Sequence, residues 1–259
     1  MRGGGWLVPL TASARTEITM ILRSRMLWLA VAPLAALSLL LALTSARGAG
    51  LPPAHRVASA AVMMNLLAGF GLTMAMADRL RWHRRTGLGD LLAATPGSAS
   101  ARMAGTLIGA VAVALAPATA ALLVYGAVMA VAAGSPGPFG TALAAVVVIL
   151  IPSGLLVTTF SALAGLVLPV TIARIGAAGV WAWATVLNPR VLPIPTVSYT
   201  MFSPGGGFPA VAWLGAPRGT AVLNGQEVGA SAAAVNLLVV LACTVLLLAV
   251  ARKWTERYR

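Results

Sequence analysis

The chain has 259 residues, of which 59% are hydrophobic and 9% are charged, and its formal net charge is +13. A soluble domain typically carries about a quarter charged residues, so this composition excludes an ordinary soluble domain and indicates an integral membrane protein. The arginines lie at the ends of apolar runs rather than on one soluble face. That distribution favours anchoring at the cytoplasmic membrane surface and argues against a nucleic-acid partner.

Residue types that commonly carry chemistry are scarce. Cys243 is the single cysteine and lies inside an apolar run, so we expect a small packing residue and no internal disulfide. The single lysine, Lys253, is followed by Trp254. A Walker A loop needs Gly-Lys-Ser/Thr to hold phosphates, so the chain cannot hydrolyse ATP by that route. We predict no catalytic residue, no metal site and no cofactor in this chain.

Residues 1–25 precede the first long apolar run and contain a stretch with helical spacing. Apolar residues recur at Leu10, Ala14, Ile18, Ile21 and Leu22, and the opposing face carries Arg15, Thr19 and Arg23. This pattern predicts an interfacial helix along the cytoplasmic leaflet, with its arginines near anionic headgroups. The alternative is a signal peptide with residues 26–43 as its apolar core, which Glu17 and the long lead-in disfavour.

Six apolar runs predict six membrane spans, because a hydrocarbon core of about 30 Å needs about 20 helical residues. Pro117 and Pro152 fall within spans, and Gly105 and Gly109 form a small-xxx-small pair suited to close helix approach. In the short fifth span we expect Arg174 at the inner surface and Trp181 and Trp183 in the outer aromatic belt. The predicted spans are 26–44, 57–77, 104–133, 141–168, 171–187 and 232–251.

The second span holds the weak candidates for a substrate path. Asn65 is its one strongly polar side chain, and we expect it to hydrogen-bond across helices or to line a path, with packing favoured. Met64 lies beside it, and methionines here are expected to pack or line a path rather than bind metal.

Orientation follows from the distribution of basic residues. With both termini cytoplasmic, 14 of the 18 Lys and Arg residues lie in inner segments. The positive-inside rule therefore favours this arrangement over its inverse.

The prediction is an all-α protein with a single transmembrane domain over residues 1–259, an inner loop at 78–103 and an extracellular loop at 188–231.

The extracellular loop, residues 188–231, has an unusual composition. It contains six prolines and the run Gly205-Gly206-Gly207, interleaved with aromatic residues. This fits neither a spanning helix nor a soluble domain. We expect short re-entrant or interfacial elements, which are acceptable where protein or water covers the backbone. An ordinary outer loop is the alternative.

The inner loop, residues 78–103, is a polar island between two apolar runs. Each Arg or Asp at mid-depth in a spanning helix costs on the order of 3 kcal/mol, so this cluster must lie outside the bilayer. Leu88, Leu91 and Leu92 have the spacing of one helical face, and Thr95-Pro96 ends the segment. These features predict a short amphipathic helix on the cytoplasmic surface. It could dock a partner or merely cap two spans.

The inner loop resembles that of the permeases of type-2 ATP-binding-cassette (ABC) exporters. The matching pattern is an acidic-Arg pair, a basic run and then Gly-x-x-acidic-Leu-Leu-x-x-Thr-Pro. The positions that carry it are Asp78-Arg79, Arg84-Arg85, Gly87, Asp90-Leu91-Leu92 and Thr95-Pro96. The resemblance implies a coupling helix that inserts into a groove on a separate ATPase subunit. Arg79, Arg81, Arg84 and Arg85 would contact the ATPase or headgroups, and Leu88, Leu91 and Leu92 would fill the groove.

The resemblance also implies a function and partners. The chain would be a permease subunit in the plasma membrane, bacterial in origin, exporting an amphiphilic or apolar substrate such as a drug, peptide or lipid. ATP and Mg would be bound by partner ABC ATPase subunits, and a second permease subunit, identical or related, would complete the transporter. The expected elbow helix and re-entrant elements agree with this family.

Two other functions are weighed on the residues. An ion-gradient-driven secondary transporter usually keeps ionisable residues inside the membrane, whereas no Asp, Glu, Lys or His falls in the middle of a proposed span. A membrane enzyme would need a base or a metal pair, and His55 and His83 are expected on opposite sides of the membrane. The secondary transporter remains the alternative.

Overall fold

A computed structural model describes residues 6–44, 50–81, 98–187, 194–198, 200–217 and 228–257, with the backbone alone for 25–27. These residues form helices joined by turns and short irregular segments, and there is no strand among them, as the predicted all-α class requires. The helices are α1 (Leu7–Leu22), α2 (Arg25–Thr44), α3 (Pro53–Met76), α4 (Ala99–Ala114), α5 (Ala116–Ala133), α6 (Gly137–Val167), α7 (Val170–Thr185), α8 (Gly207–Leu214) and α9 (Ala230–Arg257).

Four helical segments within the described part of the chain are long and apolar enough to cross a membrane. They are Pro53–Arg81, α5, α6 and α9, and they overlap the predicted spans 57–77, 104–133, 141–168 and 232–251. Helix α7 has 16 residues, a length of about 24 Å at 1.5 Å per residue, which is short for a bilayer core. The full count of six spans therefore stays a prediction.

The predicted third span, 104–133, is two helices rather than one. Helix α4 begins at Ala99, after Ser98 accepts a hydrogen bond from the Ala101 N–H at 3.2 Å. It ends at Ala114, and α5 starts at Ala116. Pro117 explains the break, because it has no N–H for the Val113 carbonyl and its ring crowds the preceding turn.

Helix α3 is the centre of the structure. It packs against α2, α5, α6, α7 and α8, and its Met64 and Leu72 are almost completely inaccessible to solvent. Leu122 of α5 and Ile149 of α6 belong to the same buried cluster. Side chains that project from α3 are thus positioned to contact most of the other helices.

Helix α6 contains a π turn at Val146–Leu150. There the Ile151 N–H donates to the carbonyl of Val146, five residues earlier. Pro152 lies two residues after the turn and has no backbone N–H to donate to the Val148 carbonyl. Such turns occur where the regular hydrogen-bond ladder is interrupted, often near functional residues.

Two glycines allow helices to approach α3 closely. Trp181 of α7 lies over Gly69 and donates its indole N–H to the Leu66 carbonyl at 2.9 Å. Trp181 is only 3% exposed, so its predicted place in an outer aromatic belt is wrong. The indole ring is buried because Gly69 has no side chain and leaves room for it against α3. At the end of α3, the backbone of Gly165 lies against the Ala77 carbonyl.

The contact between Gly165 and Ala77 predicts a large effect of one methyl group. A Cβ at Gly165 would overlap the Ala77 backbone, so Gly165→Ala must separate α6 from the end of α3. We expect a loss of about 1–3 kcal/mol, typical of overpacking, measured as a lower thermal unfolding midpoint in detergent. Gly176→Ala on α7, where a Cβ meets open space, is the matched control. Equal midpoints for both variants would contradict the packing described.

Candidate functional site

The structure describes only the two ends of the inner loop. Arg84, Arg85, Gly87, Leu88, Asp90, Leu91, Leu92, Thr95 and Pro96 lie outside the described residues. Arg79 and Arg81 lie inside them. We use the term loop root for residues 77–81 and 98–103, through which the chain enters and leaves this segment.

A buried ion pair fixes the first part of the loop root. Arg79 donates from Nε to the carboxylate of Glu17 on α1. Glu17 is 1% exposed and the Arg79 side chain 15%. The helical periodicity of α1 assigned Glu17 to neither the apolar nor the polar face, so its burial was not predicted. Its pairing with Arg79 keeps a charged group inside the protein.

The burial of Glu17 follows from the packing of α1 on α4. Cβ atoms at Gly105 and Gly109 would collide with the Leu10 and Ala14 carbonyls of α1, so the two backbones are in contact. This confirms the close approach predicted for the glycine pair and identifies α1 as its partner. The buried residues of α1 are Ser13, Glu17 and Ile21, so Ile21 is the one buried member of the predicted apolar face. Leu10, Ala14 and Ile18 of that face are half-buried and Leu22 is exposed, whereas Arg15, Thr19 and Arg23 are exposed as expected.

Two further polar contacts attach the loop root to α6 and α7. Arg174, near the start of α7, donates to Asp78 at 3.1 Å. Arg81 Nη1 lies 3.5 Å from the carbonyl of Leu168, which follows α6. Both sites are partly solvent-exposed, so each contact alone contributes little to stability. Together they fix where the chain leaves α3.

The loop root also has an apolar anchor. Leu80 is buried against Leu107 of α4, Ala162 of α6 and Ala251 of α9. Residues 77–81 therefore contact α1, α6 and α7 directly and share an apolar cluster with α4 and α9, which joins them to five helices. Because close-packed interiors transmit displacement rather than absorb it, a shift of the loop root would move several helices at once.

A second polar cluster lies within the helical core. Asn65 donates to Ser153 Oγ and to the Pro204 carbonyl, both at 3.3 Å, and Ser153 donates to the same carbonyl at 2.6 Å. The predicted cross-helix hydrogen bonding of Asn65 is therefore observed. Its neighbour Met64 is buried in the core. Sequence reasoning found Asn65 but not Ser153 or the backbone they bind.

The same irregular backbone is held from two other sides. Asn236 of α9 donates to the carbonyls of Met201 and Ser203 at 2.7 and 2.9 Å. The Ser203 hydroxyl donates to the Ala184 carbonyl of α7 at 3.3 Å. Buried carbonyls need partners, and here side chains from three helices supply them. Asn236 was not identified from the sequence, although a polar residue within a long apolar run is a recognisable sign of a buried hydrogen bond.

Helix α8 extends from this cluster along α3. It begins after Gly206 and ends before Gly215, both with positive φ. Gly206 lies against Ile149, and Gly215 lies against the His55 ring. His55 and Asn65 are ten residues apart on α3, about 15 Å along the axis. Residues 203–215 therefore run from the middle of α3 to its first turn, and their re-entrant or interfacial character stays a prediction.

Removing the Glu17 carboxylate should strongly destabilise the fold. Glu17→Gln removes the carboxylate that Arg79 binds in a mostly buried site, at an expected cost of about 3–5 kcal/mol. Thermal unfolding of the purified protein in detergent measures this loss. Glu256→Gln, which breaks the exposed Arg252–Glu256 pair of α9, should cost less than about 1 kcal/mol. Similar midpoints for the two variants would contradict the buried pair.

Removing the Asn236 amide should loosen residues 200–206. Asn236→Leu keeps the volume but leaves the Met201 and Ser203 carbonyls without these donors, at about 1–3 kcal/mol. We expect faster amide hydrogen exchange in residues 200–206. Thr244→Val on the same helix is the control, because its hydroxyl bonds only to Val240 of α9. Unchanged exchange in Asn236→Leu would show that the amide does not hold this segment.

The described residues contain no group of three or more His, Cys, Asp and Glu that could hold a metal ion. The loop root and the Asn65–Ser153–Asn236 cluster are the candidate sites, because each joins several helices through polar contacts. No known protein family matches the chain, and comparison with curated proteins gave no match. Any functional conclusion therefore depends on the residues of this chain.

Proposed function

We propose that this chain is the membrane-spanning permease subunit of an ATP-driven ABC exporter. It would move an amphiphilic or apolar substrate, such as a drug, peptide or lipid, out of the cytoplasm. Separate ABC ATPase subunits would bind ATP and Mg, and a second permease subunit would complete the transporter. The observation that carries the proposal is the inner-loop motif from Asp78 to Pro96, with its root attached to five helices.

The loop root supports a coupling role in physical terms. The motif would bind the ATPase through Leu88, Leu91 and Leu92, and ATP-driven closure would displace the loop. Arg79 would transmit that displacement to α1 through Glu17, and Asp78 would transmit it to α7 through Arg174. Leu80 would carry it to α4, α6 and α9. A loop that merely caps two spans would not need this number of attachments.

The exposed apolar side chains support a membrane location, and we propose six spans with cytoplasmic termini on the hydropathy and charge pattern of the sequence. Val131 of α5 and Leu238, Val245 and Leu246 of α9 are more than half exposed, a costly arrangement in water and a favourable one against lipid. Helix α9 is the least buried of the four long apolar helices, so its free surface would face lipid or the second permease subunit. Residues 203–215 would form the re-entrant element at the outer end.

One observation favours the alternative, an ion-gradient-driven secondary transporter. Glu17 is a buried carboxylate in a membrane protein, and such groups often serve in ion coupling. Its contact with Arg79 at the loop root equally provides a purely structural role. The two functions differ in their energy source, which the next two experiments address.

The docking role of the inner loop is tested by mutation. Charge reversal at Arg84 and Arg85 together with Leu91→Asp should abolish stimulation of a co-expressed ATPase, because both the basic run and the apolar face would be lost. Membrane insertion should be unchanged. The matched control is Lys253→Glu with Arg257→Glu in the exposed end of α9, which should leave ATPase stimulation intact. Unchanged stimulation in the loop variant would overturn the proposal.

The energy source is tested by purification from the native membrane in mild detergent. A nucleotide-hydrolysing companion should co-purify, identified by mass spectrometry and by ATPase activity. Isolation of the chain alone, together with uptake into vesicles driven by an imposed proton or sodium gradient, would favour the secondary transporter.

A further inference from the structure

Two hydroxyl groups inside α6 have no hydrogen-bond partner in the described part of the chain. They are Thr158 Oγ1 and Ser161 Oγ, and both residues are 0% exposed. Their neighbour Thr159 is equally buried, but its hydroxyl donates to the Leu155 carbonyl at 2.7 Å. Ser38 and Thr244 bond to their own helices in the same way. The missing bonds thus distinguish Thr158 and Ser161 from Thr159, Ser38 and Thr244.

Such groups are unfavourable in a permanently closed core. A buried hydroxyl without a partner costs about 1–3 kcal/mol, and a helical Ser or Thr can usually avoid this by bonding to the carbonyl four residues earlier. A buried polar group without a partner needs an explanation, such as a functional role or a bound water. The position of the two hydroxyls indicates what that role is.

Thr158 and Ser161 lie on one face of α6 between two close backbone contacts. Gly154, Thr158, Ser161 and Gly165 are spaced i, i+4, i+7 and i+11, which places them along a single stripe. Gly154 packs on Leu115, at the break between α4 and α5, and Gly165 packs on the Ala77 carbonyl. We call the interface along this stripe the α6 seam. It is about 16 Å long at 1.5 Å per residue.

The α6 seam connects the two polar clusters. Ser153, next to Gly154, belongs to the Asn65 cluster at mid-depth. At the other end, Gly165 contacts the residue that directly precedes Asp78 and Arg79. A displacement of the loop root would therefore act on the contact that closes the seam. The Gly165 contact has no side chain between the two backbones, so a small movement separates them.

We propose that the α6 seam forms the cytoplasmic half of the transport pathway. It opens when the end of α3 moves away from α6, and Thr158 and Ser161 then hydrogen-bond to an uncharged polar group. That group is water in the empty pathway and a neutral polar part of the amphiphilic cargo during transport. Hydroxyls suit this role because they donate and accept without carrying charge. The inference rests on the proposed transport function and adds the path that the cargo takes through the protein.

Cysteine labelling tests the seam without knowledge of the cargo. The single native cysteine is replaced by Cys243→Ala, and Thr158→Cys, Ser161→Cys and Thr159→Cys are introduced one at a time. Inside-out vesicles from the native host are treated with a charged, membrane-impermeant maleimide. Unreacted thiols are then counted after denaturation by a mass-tagged maleimide. Thr158→Cys and Ser161→Cys should react several-fold faster than Thr159→Cys, which is equally buried in the same turn of α6.

Two results would overturn the inference. Equally slow reaction at all three positions would show that the seam stays dry, and equally fast reaction would show general loosening of α6. A second variant separates hydration from folding. Thr158→Val should leave the thermal midpoint unchanged or raise it, while slowing the labelling of Ser161→Cys. A lower midpoint would show that the Thr158 hydroxyl is a structural group with a partner in the closed fold.

The outcomes for the seam and for the proposed function are distinguishable. Rapid labelling of Thr158→Cys and Ser161→Cys in a chain that co-purifies with no ATPase would contradict the proposed exporter function. It would still support the α6 seam as the pathway. A dry seam in a chain that stimulates an ATPase would overturn the pathway and keep the exporter. Combining the labelling with Arg84→Glu, Arg85→Glu and Leu91→Asp should slow the reaction if the loop opens the seam.

Discussion

The ion pair between Glu17 and Arg79 is the interaction on which the loop-root end of the structure depends. It joins the first helix to the residue that leaves the central helix, across 62 positions of sequence. Each charge stabilises the other in that environment, because breaking a buried ion pair by removing one partner is strongly destabilising. The pair therefore fixes a geometry. Helix α1 can lie on α4 only where Glu17 reaches Arg79, and the glycines of α4 bring it to that position.

A related constraint governs the opposite half of the molecule. Backbone without helical hydrogen bonds must find partners when it is buried, and residues 200–206 find them in side chains from α3, α6 and α9. Polar side chains inside apolar helices thus have two different roles here. Asn65 and Asn236 complete a fixed structure, whereas Thr158 and Ser161 do not. The two asparagines are thus part of a fixed scaffold, whereas the two hydroxyls belong to the surface that we propose exchanges hydrogen-bond partners during transport.

The sequence predicted the helical class and the approximate bounds of the long apolar helices, because hydropathy over about 20 residues is a strong signal. It also predicted that Gly105 and Gly109 mark a close approach. It did not predict the burial of Glu17 or of Trp181. Periodicity assigns a face to each residue by polarity, and both residues are placed by a partner far away in sequence, Arg79 in one case and Gly69 in the other. The break at Leu115 was masked by continuous hydrophobicity, although Pro117 marks it.

The candidate site was predicted in part. The motif residues from Arg84 to Pro96 were found by resemblance, and the structure adds the attachments of Asp78, Arg79 and Leu80, which no local pattern could reveal. Asn65 was noticed for its polarity. Its bond to the Pro204 carbonyl spans 139 positions, so only the folded chain shows what it binds.

The π turn of α6 has a consequence for where its polar face points. An ordinary α-helix turns by about 100° per residue, so one additional residue per turn at Val146–Leu150 changes the direction of every side chain that follows. The direction in which Ser153, Thr158 and Ser161 project from the axis of α6 is therefore set by that single widened turn. Deleting one residue there would restore a regular helix and aim the whole hydroxyl stripe at a different neighbour, with the composition of the membrane segment almost unaltered.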